Sequence, residues 1–398
     1  MKISRGEELG MKKHHFRTGD GKGGWKWKTG QFRFLHTAGY MLMPFGLAQM
    51  DDGEVVLIGA LETILTGTLT ADKAKVVVAF SQDRGDTWSD WTLVDGAESR
   101  PMMLAYMGNG KLTFVSEGPF SPISGATANR FFSTDYGRNW VKSIPVQPAG
   151  NGRPWWTEGN PLVEPDASGN AVRIAEIGYN YADGAWPQKP CDAFFRWSLD
   201  GGRTWTNEVS PKEWLWHDTY EGRTYARSVC EGSLVRADNG WLVAALRTDV
   251  GARWIPSGND NYCGAGVSIS KDDGQTWTPV QIIHRGGRMH MHFVKMPNAD
   301  LVMIYVMRQD IAPDGIHYAS YRRGCAALVS QDNGLTWDVF REYRLHEFDF
   351  ATSQEGPHEG ISALACGHTC STLLDDGRIL TAYGHYISNG IGLIRWQP

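Results

Sequence analysis

The feature that most restricts this chain is an eight-residue phrase that occurs five times. Ser198-Leu-Asp-Gly-Gly-Arg-Thr-Trp205 is echoed by Ser81-Gln-Asp-Arg-Gly-Asp-Thr-Trp88, Ser133-Thr-Asp-Tyr-Gly-Arg-Asn-Trp140, Ser270-Lys-Asp-Asp-Gly-Gln-Thr-Trp277 and Ser330-Gln-Asp-Asn-Gly-Leu-Thr-Trp337. Each part has a mechanical use in a β-hairpin turn. The Asp carboxylate accepts nearby backbone N–H groups, and the Gly supplies a positive φ. The Thr hydroxyl adds a local bond, and the Trp anchors the next strand in apolar surroundings. Strand-like runs such as Lys75–Phe80 and Gly264–Ile269 precede the copies. A hairpin recurring every fifty to seventy residues, in a chain of short strands, predicts propeller blades.

The fold class expected is therefore all-β, a six-bladed propeller of four-stranded antiparallel blades joined by these hairpins. Five blades carry the phrase, with the fifth running from His290 to about Arg341. The last unit, with Thr369–Leu374, Asp376-Gly377, Ile379–Tyr383 and Gly392–Trp396, lacks both the phrase and a fourth strand. Phe32–His36 is the strand that completes it, which leaves no open edge. Residues 1–30, basic and Gly-rich, form an N-terminal arm, and residues 31–398 form one propeller domain.

Composition bounds the partners. A net charge of −5 offers no broad basic face for nucleic acid. No run approaches the ~18 apolar residues of a membrane helix. The polar N-terminus shows no leader core, so the cytoplasm is the expected location, or the exterior if a leader has been trimmed. Six cysteines without compact spacing predict buried free thiols. Of the 17 tryptophans, Trp155 and Trp156 fall in a loop-like stretch, where indoles stack on sugar faces or pack the rim.

The phrase is the Asp box, or BNR repeat, and from about Phe32 onward the chain resembles the sialidase superfamily. That resemblance implies a glycan-cleaving site at the mouth opposite the Asp boxes. The segment from Cys230-Glu231 to Leu246-Arg247 looks like the family's Glu and one of its carboxylate-clamping arginines. Tyr321-Arg322-Arg323 looks like another clamp position. The chain departs from the pattern at Gly367-His368-Thr369, where His stands in place of the nucleophilic Tyr, with Tyr383 and Tyr386 close by but out of register. For the acid/base Asp of blade one the candidates are Glu62 and Asp72. Apart from the resemblance, a Glu–Arg pair here also reads as a buried tie between two strands.

On this reading the protein is a sialidase-like glycoside hydrolase that removes a terminal acidic sugar. Glu231 and His368 serve catalysis, with Glu62 and Asp72 in reserve. Arg247, Arg322, Arg323, Arg288, His290, His292, Trp155, Trp156 and Tyr383 hold the glycan. By the period of two, Arg288, His290 and His292 share one side of their strand. A carboxylate beside His368 is expected to raise its pKa. No cofactor or metal is expected, since neither His290/His292 nor Cys366-Gly-His-Thr-Cys370 completes a zinc spacing. The alternatives are a uronate lyase with a His or Tyr base and an Arg clamp, and a glycan-binding propeller without turnover.

Overall fold

A computed structural model describes residues 9–19, 25–37, 40–63, 74–116, 128–169, 171–181, 189–257, 260–312, 314–320, 322–349 and 366–398. The architecture is a six-bladed propeller of four-stranded antiparallel sheets. Blade one is Tyr40–Gln49, Val55–Thr63, Lys75–Ser81 and Thr92–Glu98. Blade two is Pro101–Tyr106, Leu112–Ser116, Asn129–Ser133 and Val141–Pro145. Blade three is Leu162–Pro165, Ala171–Tyr181, Cys191–Ser198 and Thr206–Val209. Blade four is Val229–Arg236, Leu242–Val250, Cys263–Ser270 and Gln281–His284. Blade five is Arg288–Lys295, Leu301–Met307, Arg322–Ser330 and Tyr343–Asp349, so its last strand lies beyond the expected limit at Arg341. A short turn at Val339–Arg341, capped by Asp338, delays that strand.

Blade six is Cys366–Leu373, Ile379–His385, Gly390–Trp396 and Trp25–His36. The N-terminal strand pairs antiparallel with the last one, from Gln31 opposite Arg395 to His36 opposite Gly390, and so closes the ring. Before it, Leu9–Gly19 pairs with the closing strand and touches blade five at Arg17–Arg344. The core lies between blades rather than within one. Phe114 and Phe131 of blade two, for example, pack with Val56, Ile58, Val76 and Val78 of blade one.

The five Asp boxes repeat one set of bonds. In the third, Ser198 Oγ donates to Asp200 (2.8 Å) and accepts from the Gly202 N–H (2.7 Å). The backbone N–H and hydroxyl of Thr204 both donate to the same carboxylate, at 2.9 and 2.6 Å. The residue before each box Gly, like the Gly itself, has a positive φ, as at Asn333 (61°) and Gly334 (88°). That pair is the right-handed hairpin turn favoured by Asn, Asp and Gly. An Asp200→Ala protein is expected to lose about 1–2 kcal/mol, since its charged bonds are partly exposed to solvent. Urea unfolding measures this, and an unchanged midpoint would show that the turn holds without its carboxylate. All six cysteines are buried and free.

Candidate active site at the channel mouth

Antiparallel order fixes which face carries chemistry. The first strand of a blade starts, and the second ends, on one face, while the Asp boxes follow the third strand and lie on the other. On the first face, five of the six inner strands carry a β-bulge. The register slips at Phe45, Met103, Glu231, His290 and His368. The last four have positive φ values of 58°, 38°, 52° and 50°. A bulge re-aims a side chain out of the sheet's alternation, and non-glycine residues hold such φ values only where the surroundings enforce them. In blade three the place is taken by Glu158, just ahead of Gly159 (φ 91°), against whose backbone Gly232 packs.

One residue from each blade thus forms a ring. The rings of Phe45 and His368 lie 4.3 Å apart, as do those of His368 and His290. His290 Nδ1 is 3.4 Å from Glu231 Oε2 and 3.6 Å from Glu158 Oε2. Thr157 Oγ1 reaches Met103 Sδ at 3.6 Å, and Met103 shares an apolar cluster with Phe45 and Tyr386. The four polar members are 4–9% exposed. They are nearly dry.

Three arginines stand behind the ring, each on a carboxylate. Arg247 bonds Glu231. Arg308 donates to Asp260 at 3.1 Å, and Arg100 donates to Glu62 at 2.8 Å. Arg308 also donates to His290 Nε2 at 2.9 Å and to the Cys366 carbonyl at 2.8 Å. A guanidinium only donates, so His290 Nε2 must accept, and its proton sits on Nδ1 facing both glutamates. Burial pushes Glu231 up to about 8; the Arg247 guanidinium opposes this and the Glu158 charge adds to it. Burial likewise raises Glu158 against the pull of Arg247 and Arg100.

His290 and His368 are driven well below the ordinary histidine value, by burial first and then by neighbouring positive charge and, for His368, by His290. Both are neutral imidazoles. The expected rise for His368 is overturned, because burial disfavours its charged form, and His290 and three guanidiniums push the same way. Its Nδ1 is 2.5 Å from the Tyr386 hydroxyl. Glu158, His290 and His368 bring one ligand atom each within 4.8 Å of one another. The trio fits a cation poorly, since the Nδ1 of His290 carries its proton and three arginines face the same space.

Among the residues singled out from the sequence, Glu231, Arg247, His290 and His368 are brought together here. Glu62 joins them only through Arg100. Asp72 lies outside the described residues. Arg322 pairs with Glu347 at 3.1 Å, and Arg323 donates to Gln309 at 2.6 Å. Arg288 is turned to Glu342 (3.2 Å) and Asp310 (2.8 Å), because the bulge at His290 breaks the period of two that would have kept the three residues on one side. His292 is buried, and desolvation holds it down at about 3. Trp155 and Trp156 are 3% and 8% exposed. They are packing residues rather than sugar platforms, with Arg196 stacked 3.5 Å over Trp155. Tyr383 is buried against His346 at 2.5 Å.

Sequence reasoning missed Glu158, Arg308, Arg100 and Asp260, while Tyr386, which stood out of register, is the tyrosine that meets His368. Arg308 had a signal, since it follows the second strand of blade five, while Arg247 lies in the last half of that of blade four. Glu158 had none, because only four residues of inner strand follow it.

Residues 128–385 match the BNR repeat-like domain family. No curated protein sequence matches the chain. Among solved structures, a protein of unknown function from Dyadobacter fermentans is similar with a TM-score of 0.64 at 18% identity, over 98% of this chain and 100% of that one. The Penicillium chrysogenum α-L-arabinanase, complexed with arabinobiose, gives 0.57 at 13% identity over 98% and 99%. An intramolecular trans-sialidase from Ruminococcus gnavus, in complex with oseltamivir carboxylate, gives 0.56 at 14% identity over 90% and 94%. At these identities the likeness is one of fold. The chain belongs to the BNR repeat-like family, as a divergent member built on the sialidase-type six-bladed propeller.

Proposed function

We propose that this protein is a glycoside hydrolase in which Glu231 and Glu158 are the working carboxylate pair. The observation that carries the reading is that both carboxylates face one N–H, that of His290 Nδ1. Those two distances put their facing oxygens at most about 7 Å apart, so both can address one substrate. Glu231, which holds its proton at neutral pH, is the acid that protonates the departing glycosidic oxygen. Glu158 is its partner, as nucleophile or as base toward water.

His290 has its one lone pair engaged by Arg308 and is a positioning residue, presenting an N–H to both carboxylates. The solved neighbours support the reading to the extent that an arabinanase and a trans-sialidase share this propeller.

The test is incubation with a panel of reducing and nitrophenyl-linked oligosaccharides in 18O-water, with products read by mass spectrometry. A hydrolase releases a sugar carrying one atom of solvent oxygen. An unsaturated uronate product without solvent oxygen would identify a lyase, and binding without any product would leave a lectin-like propeller. Either result overturns the proposal.

A further inference from the structure

The arginines at the mouth invite the expectation of an acidic sugar, and their partners argue against it. A carboxylate clamp needs guanidinium N–H groups that point at an empty place and are free to grip two oxygens. Here Arg247 and Arg308 already converge on one carboxylate, that of Asp260, at 3.6 and 3.1 Å. Arg308 has every nitrogen engaged, by Asp260, His290 and the Cys366 carbonyl. Arg247 also bonds Glu231 and, at 3.3 Å, Cys263 Sγ. The third, Arg100, is held by Glu62. Each of the three guanidiniums therefore already faces a carboxyl group of the protein itself.

Asp260 is also firmly placed. It opens a short turn, Asp260–Tyr262, whose next two residues are buried. Tyr262 stacks on Trp254 with ring centroids 4.3 Å apart, and its hydroxyl meets that of Tyr318 at 2.6 Å. Yet the Asp260 side chain is 35% exposed, so a ligand can reach it. The two guanidiniums keep its pKa lowered although burial alone would raise it, and it remains an anion.

We infer that Asp260 is a built-in counter-carboxylate that fills the arginine pair from within, excludes acidic sugars and restricts the site to neutral ones. This rests on the glycosidase reading in taking sugars as the ligands, but binding tests it without turnover. The probes are glucuronate and N-acetylneuraminate, titrated by calorimetry into the wild type and into Asp260→Ala and Asp260→Asn proteins. The wild type is expected to show no saturable binding of either acid at millimolar concentration.

The Ala variant, with its guanidiniums uncovered, is expected to bind at least one acid tenfold or more tightly than the wild type does. The Asn variant, which keeps the volume of Asp, serves the same comparison if the Ala protein does not fold. Saturable binding of either acid by the wild type overturns the inference, whatever the variants do. So does a folded variant that binds neither acid. Absence of hydrolysis on every substrate would sink the glycosidase reading and leave these binding outcomes standing.

Discussion

Replacing Glu231 by Gln is expected to remove turnover and, at the same time, to flatten the decline of stability between pH 4.5 and about 8. A positioned general acid contributes about 10²–10⁴-fold to rate, so kcat should fall by that factor. Activity of the wild type should fade as pH rises through about 8, where Glu231 loses its proton. The same shift has a thermodynamic side. The native state keeps a proton that the unfolded chain releases above the ordinary value of 4.5. Native stability must therefore drop as pH climbs from 4.5 to about 8, and level off beyond. Gln has no proton to lose, so its protein lacks that share of the slope, while the raised Glu158 retains its own. Urea unfolding at pH 5 and pH 8.5, beside pH–rate profiles, reads both effects. A Gln variant with wild-type turnover would remove Glu231 from the chemistry.

Deleting residues 1–36 is expected to prevent folding, whereas deleting 1–24 leaves the closing strand in place and a folded protein. The longer deletion strips the last strand of blade six of its partner from Gln31 to His36. It also removes Phe32, Phe34 and Leu35, each less than a tenth exposed. At about 1.5–3 kcal/mol per buried side chain, three such losses amount to about 5–9 kcal/mol, comparable with the ~5–15 kcal/mol that holds a typical domain together. Circular dichroism and gel filtration of the two truncated proteins decide the matter. A monomeric, cooperatively unfolding 37–398 fragment would show that the ring closes without its N-terminal strand.

How much of this was legible follows from where the sequence repeats itself. The Asp boxes report local bonds, among Ser, Asp, Gly and Thr within seven residues, so they could be read directly and counted into blades. Glu231 and Arg247 were legible for a similar reason, since one hairpin joins them and their ends share a face. The ring itself was not. Glu158, His290 and His368 come from three blades, and only closure brings them together. Bulges at His290 and His368 also break the alternation from which facing is deduced. Nor could charge partners be deduced. Arg100, Arg247 and Arg308 look alike in sequence, and only the presence of Glu62, Glu231 and Asp260 shows that each already has a partner. The tryptophans misled because a loop-like stretch can still be interior, as Trp155 is beneath Arg196.

The pairing of residues 25–36 with 390–396 also sets a timetable. On the ribosome, the closing strand emerges early and must wait until Trp396 has cleared the exit tunnel. At about 5–20 residues per second that wait lasts from some twenty seconds to over a minute. During it, blades one to five can form while the sheet bearing His368 remains unfinished. The mouth is therefore the last part of the molecule to be assembled, and a chain interrupted in blade six carries Glu158 and Glu231 without the histidine ring that completes their surroundings. Released activity during synthesis would report finished rings alone.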